Sequence, residues 1–119
     1  MNLFNNTTFN NLTHGLDYAS TKNKVIANNI ANVDTPDYKA KKVSFQSQLD
    51  EEMLKFDQKL TARINITENR GITYNHNGNS VDLDKEMAEL SKNQLYYEAL
   101  TERINGKFNS LRTVLGGGR

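Results

Sequence analysis

The stretch V-I-A-N-N-I-A-N-V-D-T-P-D-Y-K-A, residues 25–40, contains both a helix and the signal that ends it. Ile26, Ile30 and Val33 recur at steps of four and three, the spacing that places side chains on one face of an α-helix. Pro36 then ends the helix, because proline lacks an N–H and forces the preceding residue out of the α region. The sequence therefore predicts the last turns of a packed helix followed by a turn.

The helix that ends in this stretch extends back toward the N-terminus. The same three-four repeat of apolar residues continues upstream at Phe9, Leu12, Leu16 and Ala19. This pattern predicts an N-terminal helix over residues 8–33, held by packing rather than by intrinsic propensity. Asn23 falls on the same face, where its amide either meets a polar partner or lies at a wet edge.

The clearest element in the sequence is a long C-terminal helix over residues 82–115. Its stripe consists of Leu83, Met87, Leu90, Gln94, Tyr97, Thr101, Ile104, Phe108, Leu111 and Leu115. Asp82 is a suitable N-cap, and the glycines at 116–118 end the helix. Leu95, Tyr96 and Leu100 lie off this stripe, so we expect the helix to make contacts on a second side. The alternative is a compact bundle in which a middle helix covers them.

The middle segment, residues 34–80, is more variable in character. A short helix is predicted by the spacing of Phe45, Leu49, Met53, Phe56 and Leu60. Ile64 and Ile66 then alternate with polar residues, as do Ile72 and Tyr74, on either side of Asn69-Arg70-Gly71. That alternation predicts a small hairpin or an extended linker. The expected fold class is therefore all-α, in a single domain over residues 1–119.

Composition indicates a protein that needs a partner. Only 36% of the 119 residues are hydrophobic, and the mean hydropathy is −0.73, so a lone chain has little apolar surface to bury. The net charge of +1 gives no long-range attraction to nucleic acid or to anionic membranes. There is no cysteine, no apolar run long enough to span a bilayer, and no pattern of a cleaved signal peptide.

Catalytic, metal and cofactor sites are not expected. His14 and His76 are isolated and lack the spacing of a zinc site, so an enzyme is not predicted. A basic group, Lys39, Lys41 and Lys42, leaves open a small helical nucleic-acid binder. A regulatory or chaperone-like helical module is the other alternative, and it would be a stable, solitary protein.

Residues 27–39 resemble the A-N-N-I-A-N-x-[ND]-T-P-G-Y-K signature of bacterial flagellar axial proteins of the rod and hook group. The matching residues are Ala27, Asn28, Asn29, Ile30, Ala31, Asn32, Asp34, Thr35, Pro36, Tyr38 and Lys39. Asp37 stands where the signature has glycine, so a left-handed backbone there would be strained. The short chain and the stretch V-D-L-D-K-E-M at 81–87 are similar to the proximal rod branch of that family.

This resemblance implies a fold and a function. Long N- and C-terminal helices would form an antiparallel coiled-coil pair, and many copies would stack helically into the hollow basal-body rod that transmits motor torque. The flagellar type III apparatus would export the chain, without a cleaved signal, to the cell envelope outside the cytoplasmic membrane. Implied partners are further copies, other rod proteins, the adaptor that joins the membrane ring to the rod, and the export gate; neither nucleic acid nor membrane insertion is implied.

Matched periodicity and the resemblance assign residues to two roles. Within one subunit, the expected helix-pair contacts are Leu12, Leu16, Ile26, Ile30 and Val33 against Leu90, Tyr97, Ile104, Phe108 and Leu111. Contacts between subunits are assigned to the signature residues Ala27, Asn28, Asn29, Ile30, Ala31, Asn32, Asp34, Thr35, Pro36 and Tyr38, with Leu95, Tyr96 and Leu100. Asn28 and Asn32 fall on the back of the first helix, where an interface would have to satisfy their amides.

Overall fold

The computed structural model describes residues 7–46, 63–71 and 75–116. Its elements in chain order are helix α1 (Thr7–Ala31), strand β1 (Lys41–Gln46), strand β2 (Arg63–Glu68) and helix α2 (Leu83–Leu115). The two long terminal helices predicted from the sequence are therefore present. A two-stranded antiparallel sheet lies between them along the chain.

Helices α1 and α2 lie side by side and run in opposite directions. The amide of Asn93 donates a hydrogen bond to the backbone oxygen of Ala19 at 2.8 Å. Nearer the start of α1, the ring of Phe9 meets the ring of Phe108 edge-on, with 5.8 Å between centroids. Residue numbers fall along α1 as they rise along α2, which makes the pair antiparallel.

A glycine lets the two helices approach each other. Gly15 is buried, and a methyl group added there would lie 3.1 Å from the Cδ1 atom of Leu100. That distance is shorter than an ordinary contact between carbon atoms. Gly15 lowers the helix propensity of α1, but it makes room for a leucine of α2.

Both ends of α2 follow the predicted signals. The Asp82 side chain accepts a hydrogen bond from the backbone N–H of Lys85 at 3.3 Å, as an N-cap does. At the other end, the N–H of Gly116 donates to the backbone oxygen of Arg112 at 2.8 Å. Local sequence thus determines where this helix begins and ends.

The sheet rests its apolar face on α1. Strands β1 and β2 pair antiparallel, with Val43 opposite Ile66 and Phe45 opposite Ile64. Val43 is buried, and the ring of Phe45 meets the ring of Tyr18 edge-on at 5.6 Å. Ile66 remains 53% exposed, so α1 covers only the β1 side of this face.

For the middle segment, the predicted helix is wrong at its start and the predicted strand is present with a different partner. Phe45 does not begin a helix, because residues 41–46 alternate between the two faces of a sheet and pair with β2. The rest of that predicted helix, residues 47–62, lies outside the described residues. Ile64 and Ile66 do form a strand, but its partner is β1, and the predicted partner around Ile72 and Tyr74 also lies outside them.

Among the described residues, the interior is small and partly polar. Its buried apolar residues are Leu12, Ala19, Val25, Ile26, Ala40, Val43 and Val81. The buried polar residues are Asn29, Asn79, Ser80 and Asn93. Across its 33 residues, α2 buries only Asn93, so most of its apolar side chains stay at least partly at the surface.

Candidate functional site

Helix α1 ends in a group of hydrogen bonds that we call the polar junction, formed between residues 29–41 and 77–86. Asn29 lies at its centre and is 1% exposed. Its Nδ2 donates to the backbone oxygen of Lys41 at 2.8 Å, and its Oδ1 accepts from the backbone N–H of Lys41 at 2.9 Å. The Tyr38 hydroxyl donates to the same Oδ1 at 3.2 Å. One amide thus pairs with the first residue of β1 as a neighbouring strand would.

Asn79 joins the end of α1 to the start of α2. It is 0% exposed, and its Nδ2 donates to the backbone oxygens of Asn32 and Thr35 at 2.8 and 2.7 Å. Its Oδ1 accepts from the backbone N–H of Val81 at 2.7 Å. Asn79 thus adds a second donor to two backbone oxygens of the turn that follows α1, and it does so from another part of the chain.

The backbone on both sides of the polar junction is also paired. The N–H of Asp37 donates to the oxygen of Asn77, and the N–H of Ser80 donates to the oxygen of Tyr38, each at 3.0 Å. The Ser80 Oγ accepts from the N–H of Ala40 at 2.7 Å. The chain that leaves α1 is therefore held along the chain that leads into α2.

Two residues with a left-handed backbone meet in the polar junction. Asp37 has φ 59°, and Gly78 has φ 81°. The Asp37 side chain occupies the space that a side chain at position 78 would need. The strain expected from aspartate in place of the signature glycine is therefore present. Lys39, one of the three lysines of the basic group, donates from Nζ to the backbone oxygen of Gly78 at 2.8 Å. It therefore stabilises the polar junction.

Two ionisable side chains of the polar junction, Glu86 and Tyr38, have raised pKa values. Burial raises the pKa of the Glu86 carboxyl, and a hydrogen bond with the Asn29 side chain opposes that shift. Burial also raises the pKa of the Tyr38 hydroxyl, with smaller contributions from the charges of Glu86 and Glu68. The part of the chain that the structure describes holds no cluster of ligands suited to a metal ion.

The residues assigned to contacts between subunits differ in exposure. Those at the surface are Ala27, Asn28, Ala31, Asp34, Thr35, Pro36, Leu95 and Tyr96. Ile30, Asn32, Tyr38 and Leu100 are half-buried, and Asn29 is buried inside the subunit. The Nδ2 of Asn32 donates to the backbone oxygen of Asn28 at 2.8 Å, and its Oδ1 accepts from the Thr35 hydroxyl at 3.1 Å. The Asn32 amide therefore has hydrogen-bond partners within the chain.

On α2, the assigned residues face different ways. The Cδ1 of Leu100 and the hydroxyl of Tyr96 both approach Gly15 of α1. Leu95 is rotated by about 140° from Leu100 on an ideal helix and is 68% exposed. Of the three, Leu95 is therefore the one that points away from α1.

The residues assigned to the helix pair range from buried to exposed. Leu12 and Ile26 are buried. Leu16, Ile30, Val33, Leu90, Ile104 and Leu111 are half-buried. Tyr97 and Phe108 are nearly half exposed, although Phe108 contacts Phe9.

Sequence reasoning missed Gly15, Asn79, Ser80 and Asn93 as structural residues. In the sequence, N-G-N-S at 77–80 reads only as a turn, because a buried asparagine and a solvated one look alike. Asn93 of α2 bonds to Ala19 of α1 and is buried. Asn23, which the sequence placed on the apolar face of α1, is exposed. The one sequence signal of burial in this region was the apolar Val81, which directly follows the polar residues 77–80.

Comparisons with known proteins point to one family. A family model described as flagella basal body rod protein matches residues 9–39, which span most of α1 and the turn that follows it. The flagellar basal body rod protein FlgB of Bacillus subtilis (strain 168) is 50% identical over 130 aligned positions, covering all of both chains. The protein of that name from Borreliella burgdorferi is 33% identical over 84% of this chain and 89% of its own length. The Escherichia coli (strain K12) protein is 26% identical over 87% of this chain and 88% of its own length.

Proposed function

This chain belongs to the family of flagellar basal body rod proteins, and from that premise we propose how its two helices build a rod. The chain is a structural subunit of the rod and not an enzyme. Copies stack helically through their terminal helices and form the hollow shaft that transmits torque. Nucleic-acid binding has no observation in its favour.

The observation that carries this proposal is the surface of α2. Its exposed apolar residues are Leu83, Met87, Leu95, Tyr96, Tyr97, Phe108, Val114 and Leu115. Among the described elements of a single copy, α1 is the one that packs along α2. Each large apolar side chain gains about 1.5 to 3 kcal/mol when it is fully buried, so neighbouring copies gain by covering the rest.

Stacking of this kind requires contacts between different surfaces of successive copies. A closed dimer would use the same patch twice, whereas a rod needs a heterologous contact that repeats without closing. The exposed signature residues Asn28 and Asp34, in and just after α1, and the exposed Leu95 of α2 offer two such surfaces. In the rod, α1 and α2 pair as an antiparallel coiled coil, which the three-four spacing of both helices supports.

Location and partners follow from the same premise. The subunit lies in the cell envelope outside the cytoplasmic membrane, and it contacts other rod proteins, the membrane-ring adaptor and the export gate. The flagellar type III apparatus exports it unfolded and without a cleaved signal, which its small apolar interior favours. In the described ranges, no helix combines the length and the apolar character needed to span a membrane.

The test is a charge placed at Leu95, with a matched apolar control. Leu95→Glu should leave the helix pair intact, because the side chain points away from α1, but it should abolish rod assembly and swimming. Leu95→Met keeps an apolar side chain of similar volume and should behave as wild type. Normal rods built from Leu95→Glu subunits would contradict the proposal.

Asn28 provides a second test, on α1. Its side chain is exposed, so Asn28→Ala should spare the fold and weaken assembly. Asn32→Ala should weaken both the fold and the assembly, because the Asn32 amide also bonds within the chain. Unchanged assembly and motility in Asn28→Ala would remove α1 from the proposed contact.

A further inference from the structure

Two pairs of like charges stand next to each other in the middle of α2. We call Glu98 and Glu102 the acidic pair, and Arg103 and Lys107 the basic pair; all four side chains are exposed. Within each pair the residues are four positions apart, so like charges lie on adjacent turns of the same face and repel each other. A partner of opposite charge would remove this cost from both pairs.

Helix α2 does not supply that partner itself. The acidic pair and the basic pair are offset by five residues, whereas only residues three or four apart on a helix are neighbours. Nearer the start of α2 the charges do pair, since Lys92 Nζ lies 3.7 Å from the carboxylate of Glu89, three residues away. Among the residues that the structure describes, neither the acidic nor the basic pair takes part in a salt bridge.

The two pairs point in different directions. Asn93 marks the side of α2 that faces α1, because its amide bonds to Ala19. With a rotation of about 100° per residue, the acidic pair is centred about 160° from Asn93 and points away from α1. The basic pair is centred about 60° from Asn93 in the opposite sense, on one flank of the helix. The two pairs are therefore about 140° apart, and one copy can use both at once.

We propose that the acidic pair of one copy binds the basic pair of the next copy, with the two α2 helices side by side. This inference rests on the proposed rod function and names the contact between its subunits. Neighbours in a helical assembly are related by a rotation and a shift along one axis, so α2 runs in the same direction in both when it lies along that axis. Because the two pairs are different surfaces, the contact repeats without closing.

The spacing of the charges gives the register of this contact. Both pairs have the same four-residue step, so two ion pairs form at a single displacement. Glu98 meets Arg103, and Glu102 meets Lys107, when the neighbour is displaced by five residues, about 7.5 Å along the helix. A shift by one residue turns the side chains by about 100° and breaks both ion pairs.

Apolar side chains lie beside both pairs. Leu95 is 68% exposed and lies three residues before Glu98, on the acidic side. Tyr96 is 47% exposed and lies seven residues before Arg103, on the basic flank. At the displacement given by the charges, Leu95 is level with a point between Tyr96 and Arg103 of the neighbour. Burial of the apolar side chains supplies affinity, whereas the ion pairs determine which surfaces meet and in what register.

Charge reversal tests the proposal in cells that carry each variant in place of the wild-type chain. One double variant is Glu98→Lys with Glu102→Lys, the other is Arg103→Glu with Lys107→Glu, and a fourfold variant carries all of these changes. Glutamate, lysine and arginine have similar helix propensities, and every variant keeps two like-charge pairs, so the fold of one copy should be unchanged. Circular dichroism of the purified chains at the same dilute concentration checks this.

Rod yield should fall by about tenfold or more in either double variant, because like charges then face each other across every contact. In the fourfold variant the signs are exchanged on both surfaces, so rod yield should return to within about twofold of wild type. Unchanged rod yield in a double variant would overturn the charge contact and leave the rod function standing. A fourfold variant as defective as the double variants would also overturn it and would assign these charges to a different partner. A wild-type chain absent from isolated rods would overturn the rod function itself.

Crosslinking keeps the proposal testable if reversed charges prevent export. Cells carry two forms of the chain, one with Glu98→Cys and one with Arg103→Cys, and the chain has no cysteine of its own. A short bismaleimide links the thiols of isolated basal bodies, because ion-paired long side chains hold their Cα atoms farther apart than a disulfide allows. The mixture should give a linked dimer on a denaturing gel. Either form alone should stay monomeric, because a heterologous contact does not bring a residue against its own copy. No dimer from the mixture, or an equal amount from one form alone, would overturn the proposal.

Discussion

At the scale of single residues, buried asparagine side chains form hydrogen bonds to the backbone that join separate segments of the chain. Asn29, Asn79 and Asn93 are all buried, and each bonds to the backbone of another segment. The sequence predicted that the signature asparagines matter, but it assigned Asn29 to the outside. Periodicity gives the face of a helix only approximately, and it contains no information about which distant carbonyls need a donor.

Removing Asn79 should be the most damaging change in the polar junction. Asn79→Ala removes the hydrogen bonds to the backbone oxygens of Asn32 and Thr35 and leaves the buried N–H of Val81 without its acceptor, which should cost about 2 to 4 kcal/mol of unfolding free energy. Asn79→Asp should fail to rescue, because a carboxylate cannot donate to Asn32 and Thr35. Thermal unfolding followed by circular dichroism measures both, with Asn28→Ala as the exposed control; an Asn79→Ala midpoint equal to that of the control would refute the assignment.

Gly78 and Asp37 should be coupled in stability. Gly78→Ala forces a left-handed backbone on alanine, at about 1 to 2 kcal/mol, and also brings a methyl group against the Asp37 side chain. In an Asp37→Gly background that clash is gone, so the cost of Gly78→Ala should fall although the strain remains. A double-mutant cycle of unfolding free energies measures the difference. Strict additivity would show that the two residues do not meet.

Two glutamates of α2 should respond to pH with opposite signs. Burial raises the folded-state pKa of Glu86 above its ordinary value of 4.5, so its ionised form costs stability at neutral pH and that cost disappears below 4.5. Glu86→Gln should therefore stabilise the protein at neutral pH and have little effect in acid.

Glu89 provides the matched comparison. The hydrogen bond from Lys22, at 2.8 Å, lowers its folded-state pKa, so its stabilisation is present above 4.5 and is lost as pH falls through the folded value. Glu89→Gln should destabilise at neutral pH and lose that effect in acid. Unfolding midpoints of both variants at neutral and acidic pH measure the signs, and parallel pH profiles would contradict them.

At the scale of elements, the sequence predicted the helices well and the strands poorly. The long repeats and the caps of α2 are local signals, and they placed both terminal helices within a few residues. Strand β1 depends on pairing with β2, which lies more than a dozen residues farther along the chain. Short apolar alternation at Val43 and Phe45 was outweighed by the helical spacing that continues from Phe45, so the partner could not be chosen from sequence.

The two glycines inside the helices should behave differently when replaced. Gly15→Leu would push α2 away at Leu100 and should cost about 1 to 3 kcal/mol through overpacking. Gly106 has open space around its Cα, so Gly106→Ala should stabilise the protein by roughly 0.5 to 1 kcal/mol through helix propensity. Unfolding midpoints measure both. A neutral Gly15→Leu would mean that the helices do not pack closely at this residue.

At the scale of the whole molecule, the protein is flat. Its Cα atoms extend 64 × 40 × 14 Å, so the thin direction has room for about one layer of secondary structure. Stable domains usually pack two layers around a core, whereas the residues that the structure describes form about one layer in a single copy. Composition predicted this shortage of apolar burial, whereas the identity of the buried residues needed the structure.

Helix content should therefore depend on association. We expect the purified chain to be only partly helical when dilute and to gain helix as copies associate. Circular dichroism combined with light scattering over a range of concentrations measures both quantities. A chain that stays fully helical, cooperative and monomeric at high concentration would favour the regulatory-module alternative.

The register of the small sheet has a practical consequence for engineering. Gln46 and Arg63 are opposite each other, so the chain leaves β1 and enters β2 at neighbouring points. The free energy of closing such a loop grows only slowly with its length. A short epitope tag inserted between these two residues therefore need not alter the spacing of the helices, and a tag of this size is compatible with export of the unfolded chain.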